Sequence, residues 1–271
     1  MWADPALRDA ALFCASAVVV CWVLSVATGN YSQVDRLWSI LPALYVGWFA
    51  SLSHFTDLRL DLMFALVALW GARLTFNFAR KGGYRWSNED YRWPILRARF
   101  GAAMFQIFNA TFIAPYQNVL LLLISLPAYL AARHPRPLTL GDGVLAVVFV
   151  AFLAGETVAD EQQWNFHRAK QRGERSGFFQ EGLFRFSRHP NFFCEQAQWW
   201  CIYLFSVVAS GQWLTVALIG PVLLTLLFQG STNFTEKISA GKYADYSDYQ
   251  RRTSRLLPLP PKTHPHAANF R

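Results

Sequence analysis

Apolar runs of roughly 17 to 25 residues, the length that carries a helix across a hydrocarbon core of about 30 Å, recur seven times along this chain of 271 residues. They cover Ala10 to Thr28, Leu37 to Ser53, Leu60 to Ala79, Ile107 to Ala131, Val144 to Ala159, Phe192 to Ser210 and Trp213 to Gly230. Backbone inside lipid must satisfy its own hydrogen bonds, so runs this long and oily are expected to be helices. The expected fold is all-α: an integral membrane bundle of seven transmembrane helices, a single domain over residues 1–271, with residues 258–271 as a mobile C-terminal tail. Composition agrees, because 54% hydrophobic and 15% charged residues are too oily a mix for an ordinary soluble domain. The first run is too long, and its start too weakly basic, for a cleaved signal peptide, so it is expected to stay as the first helix.

Charge placement orients the bundle. Lys and Arg favour the cytoplasmic flanks of membrane helices. With seven spans and the N-terminus outside, twenty cations fall in cytoplasmic segments and only Arg8, Arg59, Arg133 and Arg136 fall outside. The C-terminus is then cytoplasmic. The net charge of +8 is explained by topology and anionic headgroups, and no nucleic acid is needed. Cys14, Cys21, Cys194 and Cys201 lie inside spans and are expected to be small buried residues instead of a disulfide frame. The histidines have no metal spacing, and His264 and His266 lie in the Pro-rich tail, so no metal is expected. The run GDGVLA at 141–146 fits a dinucleotide fingerprint in letters only, since it opens a membrane helix and follows no strand.

Polar residues inside the spans carry the functional signal. Glu156, Asp160, Gln163 and His167 are spaced by 4, 3 and 4 residues, which places them on one helical face. An intramembrane carboxylate costs about 2.5 to 3.5 kcal/mol at depth, so it usually faces a cavity or a partner. Asn191, Glu195 and Gln198 repeat the arrangement on the sixth span. Arg188 and His189 precede Pro190, and the free amides of a Pro-initiated first turn together with Arg188 make an anion-friendly site. Past the last span, Tyr243, Tyr246 and Tyr249 with Arg251 and Arg252 can cover an adenine and grip phosphates, or anchor the chain at the membrane surface. Arg73, Asn77 and Arg80 form a further face on the third span.

The run GLFRFSRHPNFFCE at 182–195, followed by an EK helix and YADYSDYQRRTS, resembles a bacterial membrane family related to the steroid 5α-reductases. NYSQVDRLW at 30–38, WGARLTFNFAR at 70–80, EDYRW at 89–93 and ADEQQWNF at 159–166 fit the same family, so the resemblance covers nearly the whole chain. It implies an NADPH-dependent oxidoreductase with seven membrane helices, taking its cofactor from the cytoplasmic loops and a lipophilic enone from the bilayer. Asp160, Asn191 and Glu195 match cofactor-contacting positions of that family, while Glu156 stands where those enzymes have an Asn. Their substrate tyrosine falls at Trp70. The wider cofactor set expected here adds His167, Arg172, Arg188, Tyr246, Tyr249, Arg251 and Arg252.

Reduction of an enone needs a hydride, a donor for the carbonyl oxygen and a proton. No side chain supplies hydride, so a cofactor must. The donor candidates are Tyr31, Asp35, Tyr45, Tyr91 and Tyr116, with Asp35 attractive because burial would keep it protonated. Two other classes compete: an S-adenosylmethionine-dependent membrane methyltransferase, whose relatives carry a similar RHP turn, and a transporter or non-catalytic membrane protein. Three basic loops suit a multiply phosphorylated cofactor better than S-adenosylmethionine, and polar residues gathered at cytoplasmic helix ends do not line a path across. The expected partners are the lipophilic substrate and membrane lipids, with no protein partner inferred. The expected location is a bacterial inner membrane.

Overall fold

The computed structural model describes residues 4–262, which are helical with no strand among them. His264, His266 and the end of the expected tail lie outside the described residues. The helices are α1 (Pro5–Thr28), α2 (Gln33–Leu37), α3 (Leu41–Ser51), α4 (Leu58–Arg80), α5 (Arg92–Phe100), α6 (Ala102–Phe108), α7 (Gln117–Ala132), α8 (Leu140–Gln171), α9 (Pro190–Ser210), α10 (Ile219–Lys242) and α11 (Tyr246–Arg252). A π-helix, Asn109–Tyr116, joins α6 to α7.

Local chemistry sets the boundaries. Asp4 caps α1 by accepting from the Ala6 N–H at 2.9 Å, Pro5 fits the first turn, and Gly29 ends the helix in the left-handed region. Asp57 caps α4 by accepting from the N–H groups of Arg59 and Leu60. Pro115 has no N–H to give, and it lies within the stretch that takes the wider π pairing. In that stretch Phe108, Phe112 and Tyr116 stack with ring planes only 16° and 9° apart.

Five stretches are long and apolar enough to cross a bilayer among the described residues: Pro5–Thr28, Leu58–Arg80, Ala102–Ala132, Leu140–Gln171 and Val216–Lys242. They mark the chain as a multi-pass membrane protein. The second and sixth expected spans stand apart from these five. α3 has 11 residues, about 17 Å at 1.5 Å per residue. α9 has 21 residues, but Asn191, Glu195, Gln196 and Gln198 in its first half dilute its apolar character.

Two compact units divide the chain: Met1–Val147 with Trp200–Leu223, and Val148–Trp199 with Leu224–Arg271. In the first unit α3 packs chiefly on α4 and α7. Small residues allow close approach there: a Cβ on Gly71 would stand 2.5 Å from the Ser39 carbonyl oxygen, and one on Gly220 only 2.3 Å from that of Leu123. Val19, Val20, Trp22 and Val23 on α1 remain exposed, as suits a lipid-facing surface. Arg59 and Asp142 form a buried pair, with Nε and Nη2 donating at 2.7 and 2.9 Å.

Candidate functional site

The polar faces read from the sequence meet within the second unit. Gln198 Nε2 donates to Glu156 Oε2 at 2.8 Å and to the Cys194 carbonyl at 3.2 Å, with Glu156 2% and Gln198 1% exposed. About one turn away, Asn191 Nδ2 donates to Asp160 Oδ1 at 3.3 Å. Glu195 lies between Asn191 and Gln198 along this face of α9 and is buried. Gly155 sets the helix spacing, since a Cβ there would come within 3.1 Å of Cys194 Sγ. Phe152 and Phe193 close the contact edge to face at 5.8 Å. A buried carboxylate is stable only with partners, and α8 supplies the acids while α9 supplies the amides.

The turn before α9 is held by a clamp. Gly182 has a φ of +58°, a left-handed conformation suited to glycine, and the next residue, Leu183, donates its N–H to Gln162 Oε1 at 2.9 Å. Arg188 then inserts into a pocket of acceptors: Nε and Nη2 donate to the two oxygens of Glu236 at 2.7 and 3.0 Å, and Nη1 donates to the carbonyls of Gln250 and Thr253. His189 Nε2 sits 3.0 Å from Glu236 Oε1, and Gln250 Nε2 donates to Oε2 at 2.8 Å. The backbone adds a parallel bridge between Ser187 and Ser254, with the Arg188 N–H donating to the Ser254 carbonyl at 2.8 Å. Residues 259 and 262, early in the expected tail, are held by their N–H groups to the Phe186 and Arg252 carbonyls.

Aromatic residues finish the unit. Phe178 packs against Tyr243, Tyr246 and Tyr249 at 4.9 to 5.5 Å between ring centroids. Tyr246 and Tyr249 are buried, and Tyr249 Oη donates to the Phe184 carbonyl at 2.6 Å. Burial pushes the Tyr249 phenol above its usual range. The donated bond from Lys170, at 2.8 Å, lowers that of Tyr243.

The structure thus brings Glu156, Asp160 and Asn191 together, with Glu195 on the same face of α9 as Asn191. Arg188 and Tyr249 are engaged in the contacts that join the residues before α9 to the C-terminal segment, and Tyr246 packs against Phe178 and Tyr249. His167, Arg172, Arg251 and Arg252 are exposed, with Arg172 paired to Glu174 and Arg251 to Asp248. Glu236 is the residue that sequence reasoning missed. Its signal was the one acid of α10, in the polar second half of that helix, 48 residues past the arginine that it holds.

The donor candidates all belong to the first unit. Asp35 accepts from Trp93 Nε1 at 3.0 Å, and burial raises its carboxyl above the usual range. That bond belongs to an interlock of two motifs: Asn30 Nδ2 donates to the carbonyls of Trp86 and Asn88, Arg36 reaches those of Gly83, Arg85 and Asn88, and Ser32 Oγ accepts from the Asp90 N–H. Tyr31 Oη accepts from Gln106. Tyr45 is wholly buried, with its ring edge to face against Phe13. Tyr116 Oη donates to the Leu223 carbonyl at 3.4 Å, and Tyr91 is 51% exposed.

Among the described residues no group of three or more His, Cys, Asp or Glu side chains forms a metal site, and the four cysteines are free and buried. A family of proteins of unknown function, DUF1295, matches residues 21–253. An uncharacterized protein of the fission yeast Schizosaccharomyces pombe is 37% identical over 260 residues, covering 88% of this chain and 76% of its own length. A related sequence therefore occurs in a fungus. No solved structure matches.

Proposed function

This chain belongs to the DUF1295 family of proteins of unknown function, and from that membership and the site above we propose a membrane-embedded, NADPH-dependent reductase of a conjugated carbon–carbon double bond in a lipophilic, steroid-like or isoprenoid-like enone. The observation that carries the reading is the double pairing of Glu156 with Gln198 and Asp160 with Asn191. Paired carboxylates and amides offer the acceptors and donors that ribose hydroxyls and a carboxamide require. Arg168, Arg185 and Arg252 are exposed on the same unit and suit the phosphates. The donor set therefore fits a phosphorylated dinucleotide, which supplies hydride when bound.

The chain's own residues do the rest. Asp160, Asn191 and Glu195 hold the nucleoside end, and the Arg188–Glu236 clamp keeps the first turn of α9 in register. Asp35 best fits the acid role because it retains its proton above the usual carboxylate range. The ordered motifs that resemble those of the steroid 5α-reductases support the same chemistry. We extend the topology to seven crossings with the N-terminus outside, counting α3 and α9, since the three most basic loops then fall on the cytoplasmic side.

Thermal-shift titration of the detergent-purified full chain with NADPH, NADH and S-adenosylmethionine tests this. NADPH is expected to stabilise it most, with Asn191→Ala and Glu195→Ala each weakening that response without unfolding the protein. Stabilisation by S-adenosylmethionine alone would sink the reading in favour of a methyltransferase.

A further inference from the structure

A cavity of about 650 Å³ opens in the first unit at the end of α1 farthest from Asp35. The start of α1, the end of α3, the start of α4 and the end of α7 surround it. Its volume lies within the range of small-molecule sites, about 300 to 1,000 Å³. Nothing in the reductase reading uses it.

The walls are built, and their charges are unequally committed. Asp4 spends its oxygens on the Ala6 N–H, the Tyr129 hydroxyl at 2.9 Å and Arg133 at 3.1 Å. The Tyr129 bond, ahead of the other contacts, holds the Asp4 carboxyl below its usual range. Asp57 accepts from the two N–H groups that it caps. Arg59 anchors the opposite wall by donating to the carbonyls of Arg136 and Pro137 while paired to Asp142. Among the described residues, no hydrogen bond or ion pair engages the Arg136 guanidinium, which lines the cavity beside Arg133. Phe49, Leu52 and Leu60 provide an apolar floor. On the rim, between lining residues Ser53 and Thr56, His54 and Phe55 both take positive φ of 52° and 55°. Strain of this kind, of order 1 to 3 kcal/mol per residue, gathers at functional sites.

We propose that this cavity binds a phosphate-bearing amphiphile, its phosphate at Arg136 and Arg133 and its chain along Phe49, Leu52 and Leu60. Arg136 brings an uncommitted cation, while the oxygens of the neighbouring acids are already engaged, so the free charged donor offered to a ligand is a guanidinium. The apolar floor gives a hydrocarbon chain affinity that a bare anion cannot gain.

The test titrates the full chain, in a maltoside detergent held constant, with three probes: oleoyl lysophosphatidic acid, monooleoylglycerol and inorganic phosphate. Thermal shift and native mass spectrometry read the binding. The lysophosphatidic acid is expected to bind saturably, with the other two at least about tenfold weaker because each lacks one of the two contacts. Arg136→Glu should weaken it by a similar factor, and its side chain is exposed, so the fold should be unaffected. Thr56→Trp, a filling change at an exposed lining position, should block it. Equal binding of inorganic phosphate would assign an anion site without a lipid, and equal binding of monooleoylglycerol a chain site without a phosphate. Either result, or unchanged binding in both variants, overturns the proposal.

Discussion

Two buried arginine–carboxylate pairs, one in each compact unit, use the same two nitrogens and join very different things. Arg59 meets Asp142 at 2.7 and 2.9 Å, and Arg188 meets Glu236 at 2.7 and 3.0 Å. The first pair is a staple between helix starts: Arg59 in the first turn of α4 and Asp142 in that of α8, with Thr139 adding its N–H and hydroxyl. The second is a hub, in which Glu236 also engages His189 and Gln250 while Arg188 takes two further carbonyls. Burying charge costs several kcal/mol per ion, so such pairs persist only where all lone pairs and protons are satisfied. The staple meets that demand with groups that lie within a few residues of Asp142, namely Thr139 and the Arg136 and Pro137 carbonyls, whereas the hub draws on His189 beside its arginine and on the 250–253 segment. The hub sits directly at the start of α9, the helix that carries Asn191 and Glu195.

The largest effect that would test this contrast is expected from Glu236→Ala. It strands the buried Arg188 and should cost about 3 to 5 kcal/mol, read as a lowered melting temperature with protease sensitivity appearing at residues 253–262. Asp142→Ala should come next, near the lower end of that range, because beside Arg59 it deprives only Thr139 of its acceptor, whereas Glu236 also serves His189 and Gln250. A greater loss for Asp142→Ala than for Glu236→Ala would reverse the comparison. Tyr249→Phe removes one donor to the Phe184 carbonyl and should cost about 1 to 2 kcal/mol. If it leaves cofactor-induced stabilisation intact, the clamp acts as scaffold; if it abolishes it, the clamp shapes the site.

The smallest expected effect is one of pH, and it belongs to the first unit. Asp35 holds its proton above the usual carboxylate range, so the folded state binds a proton that the unfolded chain releases. The stability from this group is complete below the unfolded value and is lost as pH rises through the raised folded one. Melting temperatures measured across that window should fall for the wild type, and Asp35→Asn should remove that part of the slope. An identical profile in the variant would mean that Asp35 is ionised like an ordinary carboxylate.

Much of this was legible in residue order. Five of the seven apolar runs became helices long and apolar enough to cross a membrane, and the spacings of 4 and 3 placed Glu156 with Asp160, and Asn191 with Gln198, on faces that pair. The readings that needed distance behaved differently. Arg188 looked like an anion site because its local context is a Pro-initiated helix start, and its actual partner lies 48 residues away. Tyr249 looked like a nucleotide cover, yet its hydroxyl is spent on the Phe184 carbonyl. Arg59 read as a topology charge and is instead a buried anchor. Nothing in the run of residues 102–132 announced a π-helix, because Pro115 forbids one hydrogen bond without dictating which pattern replaces it.

By itself the sequence determined that the chain is helical and membrane-spanning, and which polar residues share a helix face, because hydrogen bonding in lipid and the helical repeat act within a few turns. Tertiary structure alone decided which charges cancel, which tyrosines are buried and where a cavity remains. Those outcomes depend on pairings across dozens of residues, and a buried charge accepts whichever partner the packing brings within 3 Å.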